Sequence, residues 1–179
     1  MKPAIRKAVR KEARGLRDAL RKGIKSQSPG GESFRKLSPL TTAARRMRTT
    51  KRGSKHARAL DVTGEMIKAI KVHMVGDNAF VGIEKRATGS DGRRLQDIAR
   101  MNDQGSKPIR INMTPKMRRF LAVLFRKAGG ARTGGGGGRK AIIVRIPARP
   151  FVKPVYTKWR AGFDKRFDKA LSKHLPELS

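Results

Sequence analysis

The chain has 179 residues, with 45 Lys or Arg against 13 Asp or Glu, for a formal net charge of +32. That length allows one domain with a modest core, and that charge calls for a polyanion or an acidic partner to neutralise it. The absence of cysteine excludes disulfides, thiolate chemistry and Cys-type zinc sites, and no apolar run reaches the length of a membrane-spanning helix.

Residues 1–27 read as a basic amphipathic helix. Pro3 suits a first helical turn, and Ile5, Val9, Ala13, Leu16, Leu20 and Ile24 recur at helical steps. The other faces carry Arg6, Lys7, Arg10, Lys11, Arg14, Arg17, Arg21 and Lys22. Eight like charges lacking partners one turn away destabilise an isolated helix, so this surface is expected to meet DNA or an acidic protein. The start of the chain is basic but has no apolar block after it, so it does not read as a secretory signal.

Residues 28–60 read as a basic arm. Ser28-Pro29-Gly30-Gly31 marks a turn, and Thr41 to Arg48 form a short helix. Arg45, Arg46, Arg48, Lys51 and Arg52 join the candidate polyanion-binding set. Residues 1–60 hold 19 Lys or Arg and three Asp or Glu, so half of the net charge sits in the first third of the chain.

Residues 61–179 read as the core domain. Thr63 is expected to cap a short helix through Met66, Ile67 and Ile70. Ile70, Val72 and Met74 alternate with Lys71 and His73 as a strand, Gly76-Asp77-Asn78 turns the chain, and Phe80 to Ile83 return. Asp91 caps a helix over residues 92–104 that stops at Gly105. Ile109, Ile111 and Met113 form a strand, and Thr114-Pro115 starts a helix apolar on more than one stripe, which is either buried in the same chain, the favoured reading, or an assembly surface. GGARTGGGGGRK over residues 129–140 is a flexible tether. It lacks the Gly-Lys-Ser/Thr of a Walker loop.

Ala141 to Ile146 are strand-like and end at Pro147-Ala148-Arg149-Pro150-Phe151, whose prolines delay the next helix to about residue 155. Trp159, Phe163, Phe167, Leu171 and Leu175 then recur at four-residue steps, a face expected to anchor the core, the favoured reading, or an inter-subunit contact. The fold class is therefore α+β: a small antiparallel sheet from residues 69–84, 107–113 and 140–147, packed by helices, with a long basic helix that projects or docks on a neighbour.

No catalytic or metal-ligating constellation emerges. His56, His73 and His174 are far apart and lack acidic neighbours at ligand spacing. Asp164 and Asp168 sit among Lys and Arg as ion-pair partners. Glu84 and Asp91 are the only carboxylate candidates for metal-dependent cleavage, and they are not clustered. No cofactor is expected. Aromatic residues make up 5% of the chain, with no stacking platform, so any DNA contact is to phosphates, insensitive to sequence and steeply salt-dependent.

Several segments, in order, resemble the virion morphogenesis (tail completion) family of Mu-like tailed phages. They are Ser28 to Gly31 with Phe34 and Leu37 to Thr41, then Leu60 with Thr63-Gly64-Glu65-Met66. Ile98 to Gly105, Met113 to Arg118 and Ile146 to Phe151 follow. The Gly-rich insertion and the extreme charge depart from the family pattern. The resemblance implies a non-enzymatic head–tail neck component in the virion: a homo-oligomer, most often a hexameric ring, that joins tail tube or terminator to the head connector. Thr63, Gly64, Arg149, Pro150 and Phe151 carry the motif, with Gly64 in a tight turn, Arg149 available to a neighbouring subunit and Phe151 plugging the core. The competing reading is a free histone-like or ribosome-associated protein coating phosphates.

Overall fold

The computed structural model describes residues 2–48, 58–129 and 140–173, without the side chains of Lys2 and Arg48. Lys51, Arg52, His56, His174, Leu175 and most of the Gly-rich tether lie outside the described residues.

The apolar stripe of the first helix works as expected, but it is sandwiched rather than projecting. α1 (Lys2–Ser26) buries Ala13, Leu20 and Ile24, and also Ala4, Ala8 and Glu12 beside the stripe. One side packs on the hairpin of β1 (Ile70–Val75) and β2 (Asn78–Ile83); the other packs on α6 (Val152–Arg160) and α7 (Phe163–Ser172). Two apolar partners outweigh the cost of laying a cationic helix across the molecule.

Residues 28–48 and 58–60 are not an arm. Pro29, Ala43, Ala59 and Leu60 are buried, and Phe34 packs on the core. After a 3-10 turn (Pro29–Gly31) comes α2 (Pro39–Arg48). Gly30 stands at φ 67 with the Pro154 backbone only 2.7 Å from where a Cβ would lie. Gly30→Ala combines left-handed strain with a backbone clash and is expected to lower the thermal midpoint by roughly 5–10 °C. Calorimetry with an unchanged midpoint would show that the Gly30–Pro154 approach is not maintained.

α3 (Glu65–Ala69) is preceded by Gly64 at φ 77, and no side chain caps it. Thr63 is exposed and is not the expected cap, whereas Gly64 makes the tight turn anticipated for it. α4 (Leu95–Gln104) begins later than expected: Asp91 Oδ1 accepts from the Arg93 N–H, closing a turn rather than capping the helix. Leu20, Ile24, Met66, Ile67, Ile70, Ile83, Leu95, Ala99, Phe151 and Val155 meet in the main core. Each full burial of a Leu, Ile, Met, Phe or Val side chain stabilises by about 1.5–3 kcal/mol.

The fold is α+β with a long N-terminal helix, yet the single sheet is replaced by two antiparallel ribbons among the described residues. β1 pairs only with β2, and β3 (Ile109–Asn112) only with β4 (Ala141–Val144). α1 lies along the first ribbon, and Arg21 donates to the Ile70 carbonyl at 2.7 Å, at the start of β1. At the start of that ribbon a helix side chain, rather than a third strand, meets the backbone.

α5 (Pro115–Lys127) starts at the expected cap: Thr114 Oγ1 accepts from Met117 N–H at 3.2 Å. Its burial falls short of expectation. Leu124 is buried against the α2 side, Phe120, Leu121 and Val123 are half-buried, and Phe125 is exposed. The last helix is two helices, α6 and α7, broken at Ala161-Gly162. α6 begins at Val152, ahead of the expected start, because Pro154 falls in its first turn, where no N–H partner is needed. Trp159, Phe163 and Phe167 meet in series, the first pair tilted at 5.1 Å and the second stacked at 5.4 Å between centroids, beside α1 rather than in the main core. Buried Glu12 pins this layer by accepting from Arg166 Nε at 3.1 Å.

Candidate polyanion-binding face

Arg10, Arg14, Arg17 and Arg21 fall at steps of four, three and four, so they form one ridge of α1 about 16 Å long. Opposite them runs β1. Together Arg10, Arg14, Arg17, Arg21 and Lys71 to Met74 line an open groove of about 480 Å³. Arg10 and Arg14 have no hydrogen bond or ion pair to a described residue. Arg17 reaches Asp18 at 2.8 Å. Arg21 donates to the carbonyls of Ile70 and Lys68, while its buried Nε has no partner among the described residues.

The strand side of the groove brings in Lys71 and His73, absent from the sequence-based set. Lys71 Nζ lies 3.4 Å and His73 Nε2 2.8 Å from Glu84 Oε1. Their alternation with Ile70 and Val72 signals exposure, but nothing in sequence says that they face the α1 arginines. Glu84 is thus engaged by Lys71 and the His73 ring, and Asp91 by Arg93; the two carboxylates are engaged separately. No group of three His, Asp or Glu among the described residues is placed to hold a metal ion.

The remaining cations divide by role. Arg6, Lys7, Lys11 and Lys22 are exposed on α1 without a described partner, and Arg46 is exposed on α2. Arg45 belongs elsewhere: it is half-buried and donates to the Arg58 carbonyl at 2.6 Å. Burial, and secondly the neighbouring Arg149, lowers the Arg45 pKa from its ordinary value. A guanidinium so enclosed is a structural donor rather than a polyanion contact.

Arg149 is also turned inward, against the expectation that it serves a neighbouring subunit. It is 5% exposed and donates to the carbonyls of Arg35 at 2.8 Å, Lys36 at 3.3 Å and Pro147 at 3.4 Å. Burial, and then Arg35, lowers its pKa. Its backbone N–H meets the Asn102 carbonyl at 2.6 Å. Asp103 Oδ1 accepts from the N–H groups of Phe151 and Val152 at 2.8 and 3.2 Å, satisfying two donors at the start of α6. Phe151 is buried in the core as expected, while Pro150 is exposed. Three motif segments distant in sequence, around residues 35, 103 and 149, therefore clasp one another. Asn102 and Asp103 were not singled out as site residues; an acid followed two residues later by Gly105 at a helix end was the available signal.

Comparison with protein-family models, with curated proteins and with solved structures finds no match for this chain.

Proposed function

We propose that this protein is a non-catalytic structural component of a tailed-phage neck, completing the tail and joining it to the head connector as a homo-oligomeric ring. The α1–β1 face approaches the DNA phosphates. The single observation that carries the polyanion contact is the arginine ridge facing Lys71 and His73 across an open groove, with Arg10 and Arg14 unengaged by any described residue. Mutual repulsion along such a ridge is relieved when phosphates replace condensed counterions. The groove offers no Phe, Tyr or Trp ring, so it reads charge rather than bases. The neck assignment draws its support from the resemblance, and from the convergence of three of its motif segments on one clasp.

Two experiments test it. Duplex DNA binding should fall with salt, with a log–log slope of about −0.9 for each phosphate neutralised. Arg10→Ala with Arg14→Ala should flatten that slope by about 2 and weaken binding roughly 10- to 100-fold at 0.1 M salt, equally across sequences. A slope unchanged by the double substitution would remove the groove from the contact. Particles lacking the chain should show heads and tails unjoined; fully joined particles would remove the neck assignment and leave a free phosphate-coating protein.

A further inference from the structure

A second surface, separate from the α1 groove, has the makings of a docking edge. None of the residues of β3, α5 or β4 belongs to the main core. Instead this ribbon leaves Ile109 41%, Val144 37% and Ile143 75% exposed. A two-stranded ribbon is marginal in water on its own and gains stability from a third strand. Both outer edges are open among the described residues.

The hydrogen-bond phase says which groups those edges present. Met113 N–H donates to Lys140 C=O at 2.8 Å, so residues 113 and 140 form a hydrogen-bonded pair. Alternation then makes Asn112–Ala141 and Arg110–Ile143 the non-bonded pairs of the register. The N–H and C=O groups of Ala141 and Ile143 consequently point away from β3, along the free edge of β4. They lie beside the most exposed large apolar side chain described.

Charge selects the occupant. Between Asp103 and Asp164 the sequence contains 15 Lys or Arg and no Asp or Glu. The cation density there matches the rest of the chain; what is missing is acid. Lys107 and Arg110 on one side and Lys140 and Arg145 on the other flank the ribbon. A second copy presenting the same stretch meets like charges. Nucleic acid gains nothing from Ile143 or from main-chain groups spaced for a strand.

We propose that the free edge of β4 binds an extended acidic segment of a partner protein by strand addition. Ala141 and Ile143 supply main-chain hydrogen bonds, the Ile143 side chain supplies an apolar contact, and the flanking cations select carboxylates.

The test uses the full chain and a capped eight-residue peptide of alternating Glu and Val. On peptide addition, amide exchange at Ala141 and Ile143 is expected to slow at least about tenfold, while Arg110 and Asn112 on the other edge stay unchanged. Ile143→Pro removes the edge donor at a position where proline is tolerated, and is expected to lower peptide affinity at least about tenfold with the circular dichroism spectrum retained. Ile143→Glu, which keeps the backbone donor and repels the peptide, should do the same. Three results each overturn the proposal. The first is unchanged exchange at both amides at saturating peptide. The second is a free chain that self-associates in sedimentation with these amides already protected, which assigns the edge to a second copy. The third is equal protection by duplex DNA.

Discussion

Phe151→Ala is expected to cost about 4 kcal/mol of folding stability, within the range for deleting a buried aromatic ring. Phe151 is 4% exposed and sits in the one cluster where α1, α3, β1, β2, α4 and α6 all contribute. Those elements come from distant parts of the chain. The surrounding backbone is also held: the Phe151 N–H donates to Asp103, and the Arg149 N–H to Asn102. A clasped segment cannot collapse inward to fill the space, which keeps the cost above the lower end of the range. Since a domain retains only about 5–15 kcal/mol in total, the variant should be marginal at 37 °C. Phe151→Leu, which keeps most of the volume, should lose only about 1–1.5 kcal/mol. Urea titration of the three chains checks this ordering. An alanine variant within about 1 kcal/mol of the parent would mean that Phe151 does not fill the core.

Arg149→Met is the second large effect, expected at about 2–3 kcal/mol. The thioether has similar reach but cannot donate, so the carbonyls of Arg35, Lys36 and Pro147 lose their partner. Bonds from a charged donor contribute about 1.5–3 kcal/mol each, and burying unpaired acceptors adds a penalty. One term opposes this. Besides burial, Arg35 helps lower the Arg149 pKa and Arg149 helps lower that of Arg45, so removing the charge relieves repulsion. Three lost bonds outweigh it, because solvent and the carbonyl dipoles already screen the repulsion. Arg149→Lys retains a charge but not the planar fork, and should fall between Met and the parent. The readout separates this role from an inter-subunit one. An internal clasp lowers the urea midpoint of the isolated chain, whereas a subunit contact would leave that midpoint unchanged and reduce only assembly.

The long helices and the hairpin were legible because their signals are local. Helical spacing from Ile5 to Ile24, the Thr114-Pro115 start of α5, and the Gly76-Asp77-Asn78 turn each depend on residues within one or two turns of each other. Where local rules competed, the reading slipped. Asp91 satisfies the Arg93 N–H before any helix begins, so its capping capacity is used one step early. The four-residue aromatic steps from Trp159 conceal the break at Ala161-Gly162, since the hydrophobic period continues through it.

For the candidate site, the sequence by itself determined that α1 is amphipathic, that its polar faces are crowded with arginine and lysine, and that Phe151 is core. Charge excess and hydrophobic period are properties of residue type and order, and they survive any arrangement of the elements. Only the tertiary structure decided which cations are spent inside and which face outward. Arg45 and Arg149 are indistinguishable from Arg10 and Arg14 in sequence, yet burial among carbonyls makes the first pair structural, and the groove against Lys71 and His73 makes the second pair available. The physical reason is that a guanidinium's role depends on the nearest acceptors. For Arg149 two of the three come from residues more than a hundred positions away, a separation that no local pattern encodes.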